Sequence, residues 1–240
     1  VIRRIAGAVL DLLYPRHCTG CGVRLEGPTR ACLCDVCLAG AVRADVSSCP
    51  RCAEPVGPHS DGRGACPRAD RHPALAFEAA TAVYRYEGPI REVIHALKFQ
   101  GDLTPVEWVS REVSDAVGRA PWARRVEVVV PVPLHWTRRL RRRFNQSELI
   151  ARYVARAHGW PLAARAVVRT RITGPQSSLG PAEREANVRG AFRVARPGPV
   201  RGRAVLLVDD VMSSCATASE CARAIRAAGA RYVFVAVFAR

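Results

Sequence analysis

The sequence predicts an α/β protein whose mostly parallel sheet is flanked by helices, with a small Cys-rich module in front of it. Three observations carry this. From Phe77 to Arg240, strand-like and helix-like segments alternate, the pattern of βαβ units and a parallel sheet. Two segments, Val126–Val132 and Ala204–Asp210, are near-continuous apolar runs, as expected of strands covered on both faces. Eight of the ten cysteines fall between Cys18 and Cys66, in a stretch with too little apolar periodicity to bury a core alone.

The elements follow in order. Ile2, Ile5, Val9, Leu10 and Leu13 share helical spacing, and with Asp11 present and no small-residue cleavage site, Val1–Leu13 reads as a short docking helix rather than a signal peptide. Residues 14–73 are rich in Cys, Gly and Pro and need metal staples to hold a shape. The predicted organisation is therefore a helix and metal-binding module over 1–73 and an α/β domain over 74–240. In the latter, Phe77–Tyr86 is strand-like. Gly88–Phe99 is helical, with Ile90, Val93, Ile94 and Leu97 on one face. Val106–Val117 is a second helix, Val126–Val132 a buried strand and Asn145–His158 a helix. Ala204–Asp210 is the next buried strand, Thr217–Ala228 a helix and Tyr232–Phe238 a last apolar strand. Residues 170–190 lack periodicity and read as a functional loop.

The cysteine spacing specifies metal. Cys18-x-x-Cys21 and Cys34-x-x-Cys37 are two knuckles separated by twelve residues, a spacing that delivers four thiolates to one tetrahedral zinc ion. Cys32 is a spare that could replace Cys34. Cys49-x-x-Cys52 is a third knuckle and Cys66 stands alone, with Ala69 where its partner would fall. His72, His59 and Asp70 are the candidates for a fourth ligand, with His72 favoured; otherwise these cysteines are relics of a lost site. Saturated sites of this kind are structural and make the module a zinc ribbon.

Composition limits the function classes. An apolar fraction of 49% argues against wholesale disorder, and no apolar run is long enough for a membrane span of about 18 residues. A cytoplasmic location is expected, with no membrane partner. Net charge is +16, which leaves an anionic partner open. Lys98 is the only lysine, every other basic side chain being arginine; with the abundant alanine this looks like a coding bias.

The chemistry concentrates in Val205–Thr217. A buried strand ends in Asp209 and Asp210, and a short loop through Ser213, Ser214, Cys215 and Ala216 leads into a helix. Free amides at a helix N-terminus favour phosphate, and two carboxylates beside them suit the vicinal hydroxyls of a ribose, directly or through Mg²⁺. Thr217-x-x-Glu220 fits a capping box, which would start the helix at Thr217. A thiol at a helix N-terminus is also a candidate reactive cysteine.

This segment resembles the signature of type I phosphoribosyltransferases, two acidic residues followed by T-G-x-T. Leu97-Lys98-Phe99, Gly101-Asp102, Pro131-Val-Pro-Leu-His135, Arg138–Arg143, Phe144-Asn-Gln-Ser-Glu-Leu149 and Asn187-Val-Arg-Gly-Ala-Phe192 occur in order around it. With the knuckles in front, essentially the whole chain resembles the ComF family, which includes the GntX-like proteins: a double zinc ribbon plus a domain of the type I phosphoribosyltransferase fold. The resemblance implies that Asp209 and Asp210 hold the ribose of phosphoribosyl pyrophosphate with Mg²⁺, that Ser213, Ser214, Cys215, Ala216 and Thr217 line its 5-phosphate, and that His135, Arg138 and Arg139 meet the pyrophosphate. Arg184 and Arg189 would lie on a flap that closes over the substrate. Cys215 replaces the family's glycine, a residue that allows close backbone approach and unusual φ values.

Three functions remain open at this level: phosphoribosyl transfer, a glycosyltransferase reaction serving DNA uptake, competence or nucleotide metabolism; a non-catalytic, zinc-stapled adaptor that binds single-stranded DNA alongside a competence helicase or recombination mediator; and sensing of the sugar phosphate without turnover.

Overall fold

The computed structural model describes residues 16–25, 31–44, 48–56, 66–100, 103–135, 144–171 and 181–240. The expected helix over Val1–Leu13, His59, Gly101-Asp102, Arg138 and Arg139 lie outside them. A short helix, α1 (Asp35–Ala39), sits in the first knuckle pair. Then follow β1 (Ala79–Tyr84), α2 (Gly88–His95), α3 (Val106–Arg119), β2 (Val128–Pro131), α4 (Gln146–His158), β3 (Val167–Arg169), α5 (Pro181–Val188), β4 (Phe192–Val194), β5 (Ala204–Val211), α6 (Ala216–Ala227) and β6 (Tyr232–Ala239).

Four strands form one fully parallel sheet in the order β1-β6-β5-β2. Strand side chains alternate between faces, and burial follows that alternation. Leu206, Val208, Phe234, Ala236 and Phe238 pack with α2, α3 and α4 through Ile94, Val113, Ile150 and Val154. Val205, Leu207, Val233, Val235 and Val237 pack on the other side against α6 through Ala222 and Ile225. Burial on both faces is what the unbroken apolar runs anticipated.

The Cys-rich module straddles the β1 edge. Arg43 bridges Tyr84 in antiparallel fashion, the Ala44 amide donates to Val83 O at 2.8 Å, and the Arg85 amide donates to Val42 O at 2.9 Å. The stretch between the two knuckle sets thus satisfies an edge that would otherwise expose unpaired backbone groups. On one side of it, Cys18, Cys32 and Leu33 join the core under α2–α4; on the other, Cys49, Cys52, Ala53 and Val56 join the core under α6.

Three expectations are corrected. The segment 170–190 is not wholly irregular: α5 occupies Pro181–Val188, while 172–180 lie outside the described residues. β3 and β4 form a separate antiparallel pair, and neither was expected, because three residues carry no readable period. The capping box at Thr217 does not form. Helix α6 begins one residue earlier, at Ala216, with Cys215 as N-cap, and Glu220 instead accepts the Gly190 amide at 2.8 Å and pairs with Arg223.

Candidate functional site

Both sets of metal ligands assemble. The ligand atoms of Cys18, Cys21, Cys34 and Cys37 all lie within 4.8 Å of one another, as do those of Cys49, Cys52, Cys66 and His72. His72 therefore completes the second set rather than Asp70, and Cys32 stays outside the first. Zn–S bonds near 2.3 Å give tetrahedral S···S edges of about 3.8 Å. The Cys21–Cys34 sulfurs are 3.7 Å apart, the Cys52–Cys66 sulfurs 3.5 Å, and His72 Nε2 stands 3.3 Å from Cys52 Sγ and 3.6 Å from Cys49 Sγ. The donor sets fit zinc.

The thiol energetics agree. Burial, then the surrounding thiols, push Cys52 up to about 12. Burial also acts upward on Cys18, but amides of Cys34, Cys21 and Gly20 aimed at its sulfur bring it down to about 6. Cys18 is thus poised as a thiolate, whereas Cys52 ionises readily only with a cation among the sulfurs.

At the C-terminal ends of β2 and β5, four segments converge. Asp209 and Asp210 are consecutive residues near the end of β5, and their carboxylates meet neighbouring segments, the start of α4 at Ser147 and the turn after α2 at Lys98. Asp209 Oδ1 accepts the Ser147 hydroxyl at 2.7 Å and the Asp210 amide at 2.9 Å. Asp210 Oδ1 lies 3.0 Å from Lys98 Nζ, and both side chains are largely buried. Burial first, then the Asp210 charge, pushes Asp209 up to about 7, against the pull of Ser147 and Lys98.

The Phe144–Leu149 motif acts here as a strut. Asn145 caps α4 by accepting the Ser147 amide at 3.2 Å and donates through Nδ2 to Val132 O at 3.0 Å, beyond the end of β2. Gln146, buried, donates to Leu97 O at 2.7 Å. That carbonyl belongs to a π-helical turn, Ala96–Gln100, which extends α2; such turns are frequent at functional sites, and this one presents Lys98. Lys98 was missed as a site residue. Its signal was present in the sequence, as the single position where a chain otherwise built with arginine keeps a lysine.

Beyond β5 the loop through Met212–Cys215 turns into α6. Cys215 has φ +65° and ψ −9°, the left-handed conformation that favours glycine. The cysteine thus holds a conformation that glycine adopts freely, at a strain of about 1–2 kcal/mol. Its side chain is buried, and burial, opposed by Arg240 and Arg68, raises the thiol above its ordinary value. Both the burial and the upward shift work against a thiolate at this position. The amides of Ser213, Ser214 and Cys215 have no acceptor among the described residues, and successive unpaired amides ending in a left-handed residue form an anion-binding concavity. Arg184 Nη1, on α5, reaches Ser213 Oγ at 3.5 Å. Ala216 and Thr217 open the helix, and His135 is buried just after β2. A cavity of about 620 Å³ separates this loop from the second metal cluster, lined by Ser214, Cys215 and Ala216 on one wall and Arg68, Cys52 and His72 on another.

Two four-ligand clusters joined to a parallel-sheet α/β domain define a double-zinc-ribbon α/β protein, and comparison agrees. The double zinc ribbon domain matches residues 9–69. The DNA utilization protein YhgH of Escherichia coli (strain K12) is 34% identical over 207 residues, covering 85% of this chain and 88% of that protein. Competence protein F of Haemophilus influenzae is 29% identical over 170 residues, 69% of this chain and 74% of that one. The chain belongs to the ComF family, with YhgH and competence protein F, and is a zinc-binding protein. Among solved structures, the allosteric regulatory enzyme of purine biosynthesis aligns with 54% of this chain at 25% identity and a TM-score of 0.37. The glutamine phosphoribosylpyrophosphate amidotransferase of B. subtilis aligns with 53% at 23% identity and a TM-score of 0.36. This chain spans a quarter of each. No helix among the described residues is long and apolar enough to cross a membrane.

Proposed function

We propose that this ComF protein binds a phosphorylated ribose, of the phosphoribosyl pyrophosphate class, at the end of β5, and acts in the use of DNA in the cytoplasm. The observation that carries the reading is the Ser213–Cys215 concavity, three unpaired amides at the opening of α6 immediately after two carboxylates. Phosphate is the natural occupant of such amides, with the Arg184 guanidinium beside Ser213 as a further donor. Asp209 and Asp210 would take the ribose hydroxyls, while Lys98 offsets part of the charge that two adjacent carboxylates concentrate. Both carboxylates offer oxygens of the kind Mg²⁺ takes; bound with a diphosphate, that ion would neutralise its charge. His135, Arg138 and Arg139 are assigned to the pyrophosphate side. The two zinc ions are assigned to Cys18, Cys21, Cys34 and Cys37, and to Cys49, Cys52, Cys66 and His72, within a module over 1–73 that precedes the domain over 74–240.

Recognition, not turnover, is the core of the proposal. The names of the relatives, DNA utilization protein and competence protein, support a role with DNA. A net charge of +16 favours a second reading, an adaptor that holds single-stranded DNA and a helicase or recombination mediator. Calorimetric titration with phosphoribosyl pyrophosphate and Mg²⁺, beside single-stranded DNA binding at several salt concentrations, separates them. The expected result is saturable 1:1 sugar-phosphate binding that weakens at least about thirtyfold in Asp209→Asn/Asp210→Asn, since hydrogen bonds to charged groups are the strong ones. Absence of sugar-phosphate binding together with steeply salt-dependent DNA binding would leave only the adaptor.

A further inference from the structure

The loop that offers the amides is not self-supporting. Arg240, whose side chain is only 2% exposed, lies behind it and donates through Nη1 to Met212 O and Ser213 O, each at 2.8 Å. In a trans peptide the carbonyl and the next amide point in opposite directions. Drawing those two carbonyls back therefore aims the Ser213 and Ser214 amides forward, away from Arg240. Removal of this contact would release the Met212 and Ser213 carbonyls and leave the loop anchored at its ends, by the Met212 amide on Ala239 O at 3.0 Å and the Ser219 amide on Cys215 O at 2.8 Å.

A guanidinium this deeply buried needs a counter-charge. Glu54 supplies it, pairing with Arg240 Nη2. Glu54 in turn accepts Arg68 Nε at 2.8 Å. Both partners hang on ligands of the second zinc cluster, Glu54 two residues after Cys52 and Arg68 two residues after Cys66. The knuckle itself fixes Glu54: the Cys49 amide donates to Glu54 O at 2.9 Å and the Ala53 amide to Cys49 O at 2.8 Å, with Ala53 held at φ +53°.

We propose that the second zinc cluster sets the donor geometry of the anion loop through the Glu54–Arg240 pair, so that these two residues are positioning residues for the ligand although neither reaches it. Zinc occupancy at Cys49, Cys52, Cys66 and His72 then governs whether the loop is competent to bind. The proposal rests on the sugar-phosphate reading for its consequence, while the wiring itself is observable in the unliganded protein.

The test uses the full-length protein with Glu54→Gln, which keeps the shape of the side chain and all eight metal ligands while removing the charge. Three quantities are read: zinc content, amide hydrogen exchange across residues 211–217 without ligand, and affinity for ribose 5-phosphate. The expected outcome is an unchanged zinc content, faster exchange in the loop, and affinity reduced about tenfold, as for loss of one hydrogen bond to a charged group. Arg240→Lys, which keeps the charge but whose single nitrogen cannot hold both carbonyls and Glu54 in the observed geometry, is expected to give the same three results, so the outcome does not depend on either variant folding alone. Loop exchange identical to that of the unsubstituted protein, with zinc retained, would overturn the proposal. Faster exchange in a protein that binds no ribose 5-phosphate even when unsubstituted would sustain the wiring and remove the sugar-phosphate reading instead.

Discussion

The two zinc clusters use the same knuckle chemistry and differ in what surrounds them. The first exposes Cys21, leaves Cys34 and Cys37 half-buried, and meets the domain through apolar contacts, with Cys18, Cys32 and Leu33 joining the core under α2–α4. The second buries Cys49 and Cys52, joins the core under α6 through them and through Ala53 and Val56, and adds a charged connection that the first lacks among the described residues, from Arg68 and Glu54 to Arg240 and on to the anion loop. Apolar contact is tolerant of small shifts. A forked guanidinium holding two carbonyls is not, because hydrogen bonds weaken steeply with angle. Equivalent metal sites can thus have unequal reach, and the reach is set by the side chains one or two positions beyond the ligands.

The comparison breaks most visibly if the clusters are removed one at a time. Cys52→Ser is expected to cost about 4 kcal/mol or more, the scale associated with loss of a metal site or a buried ion-pair network, and to weaken ribose 5-phosphate binding more than tenfold, on the order of one charged hydrogen bond or more. Cys21→Ser also removes a metal ligand and is expected to cost stability on the same scale, but to change affinity by only about twofold, because distant sites without shared partners act nearly independently. Chemical denaturation followed by circular dichroism, with titrations on each variant, checks both; equal losses of affinity would erase the distinction.

A smaller effect concerns the strain at the loop. Cys215→Gly is expected to change stability by less than about 1 kcal/mol, since glycine adopts the observed φ freely but raises the entropy of the unfolded chain. Cys215→Val, β-branched at a positive φ, is expected to cost about 2 kcal/mol or more. Melting curves of the pair read this directly, and a harmless valine would contradict the left-handed assignment.

A further effect is a pH slope. Asp209 is pushed from its ordinary value of 3.8 to about 7 by burial and by Asp210. Over that interval the native state holds a proton that the unfolded state has released, so the contribution is fully present below about pH 4 and lost as pH rises through about 7. Asp209→Asn should flatten this part of the stability–pH curve. A slope unchanged by the substitution would place the proton elsewhere.

Much of this arrangement was legible in the sequence, and the residues show why. The strands β2 and β5 announced themselves through near-continuous apolar runs, and the helices through period; the helix expected over Asn145–His158 is α4, with Asn145 as its cap. The knuckles gave the first metal cluster outright; the sequence leaves the second incomplete, with His72 favoured over His59 and Asp70, and the fold brings His72 to Cys49, Cys52 and Cys66. What failed was local chemistry with two solutions. Thr217 and Glu220 have the spacing of a capping box, but Glu220 is taken by Gly190 and Arg223, and the left-handed Cys215 starts the helix first. The Glu54–Arg240 pair, joining residues separated by 186 positions, has no sequence signature at all, because an ion pair leaves no period to read. Lys98 lies between these cases: its identity was unusual, and only the fold supplied its partner.

The central claim is that the amides of Ser213, Ser214 and Cys215 receive a phosphate. Titrating ribose 5-phosphate into isotopically labelled protein and following the amide resonances by NMR tests it most directly. The account predicts saturable downfield shifts of those three amide protons, larger than any others in the chain and lost when Mg²⁺-free ribose replaces the phosphorylated sugar. Resonances of 213–215 that stay fixed while others move on saturation would contradict it.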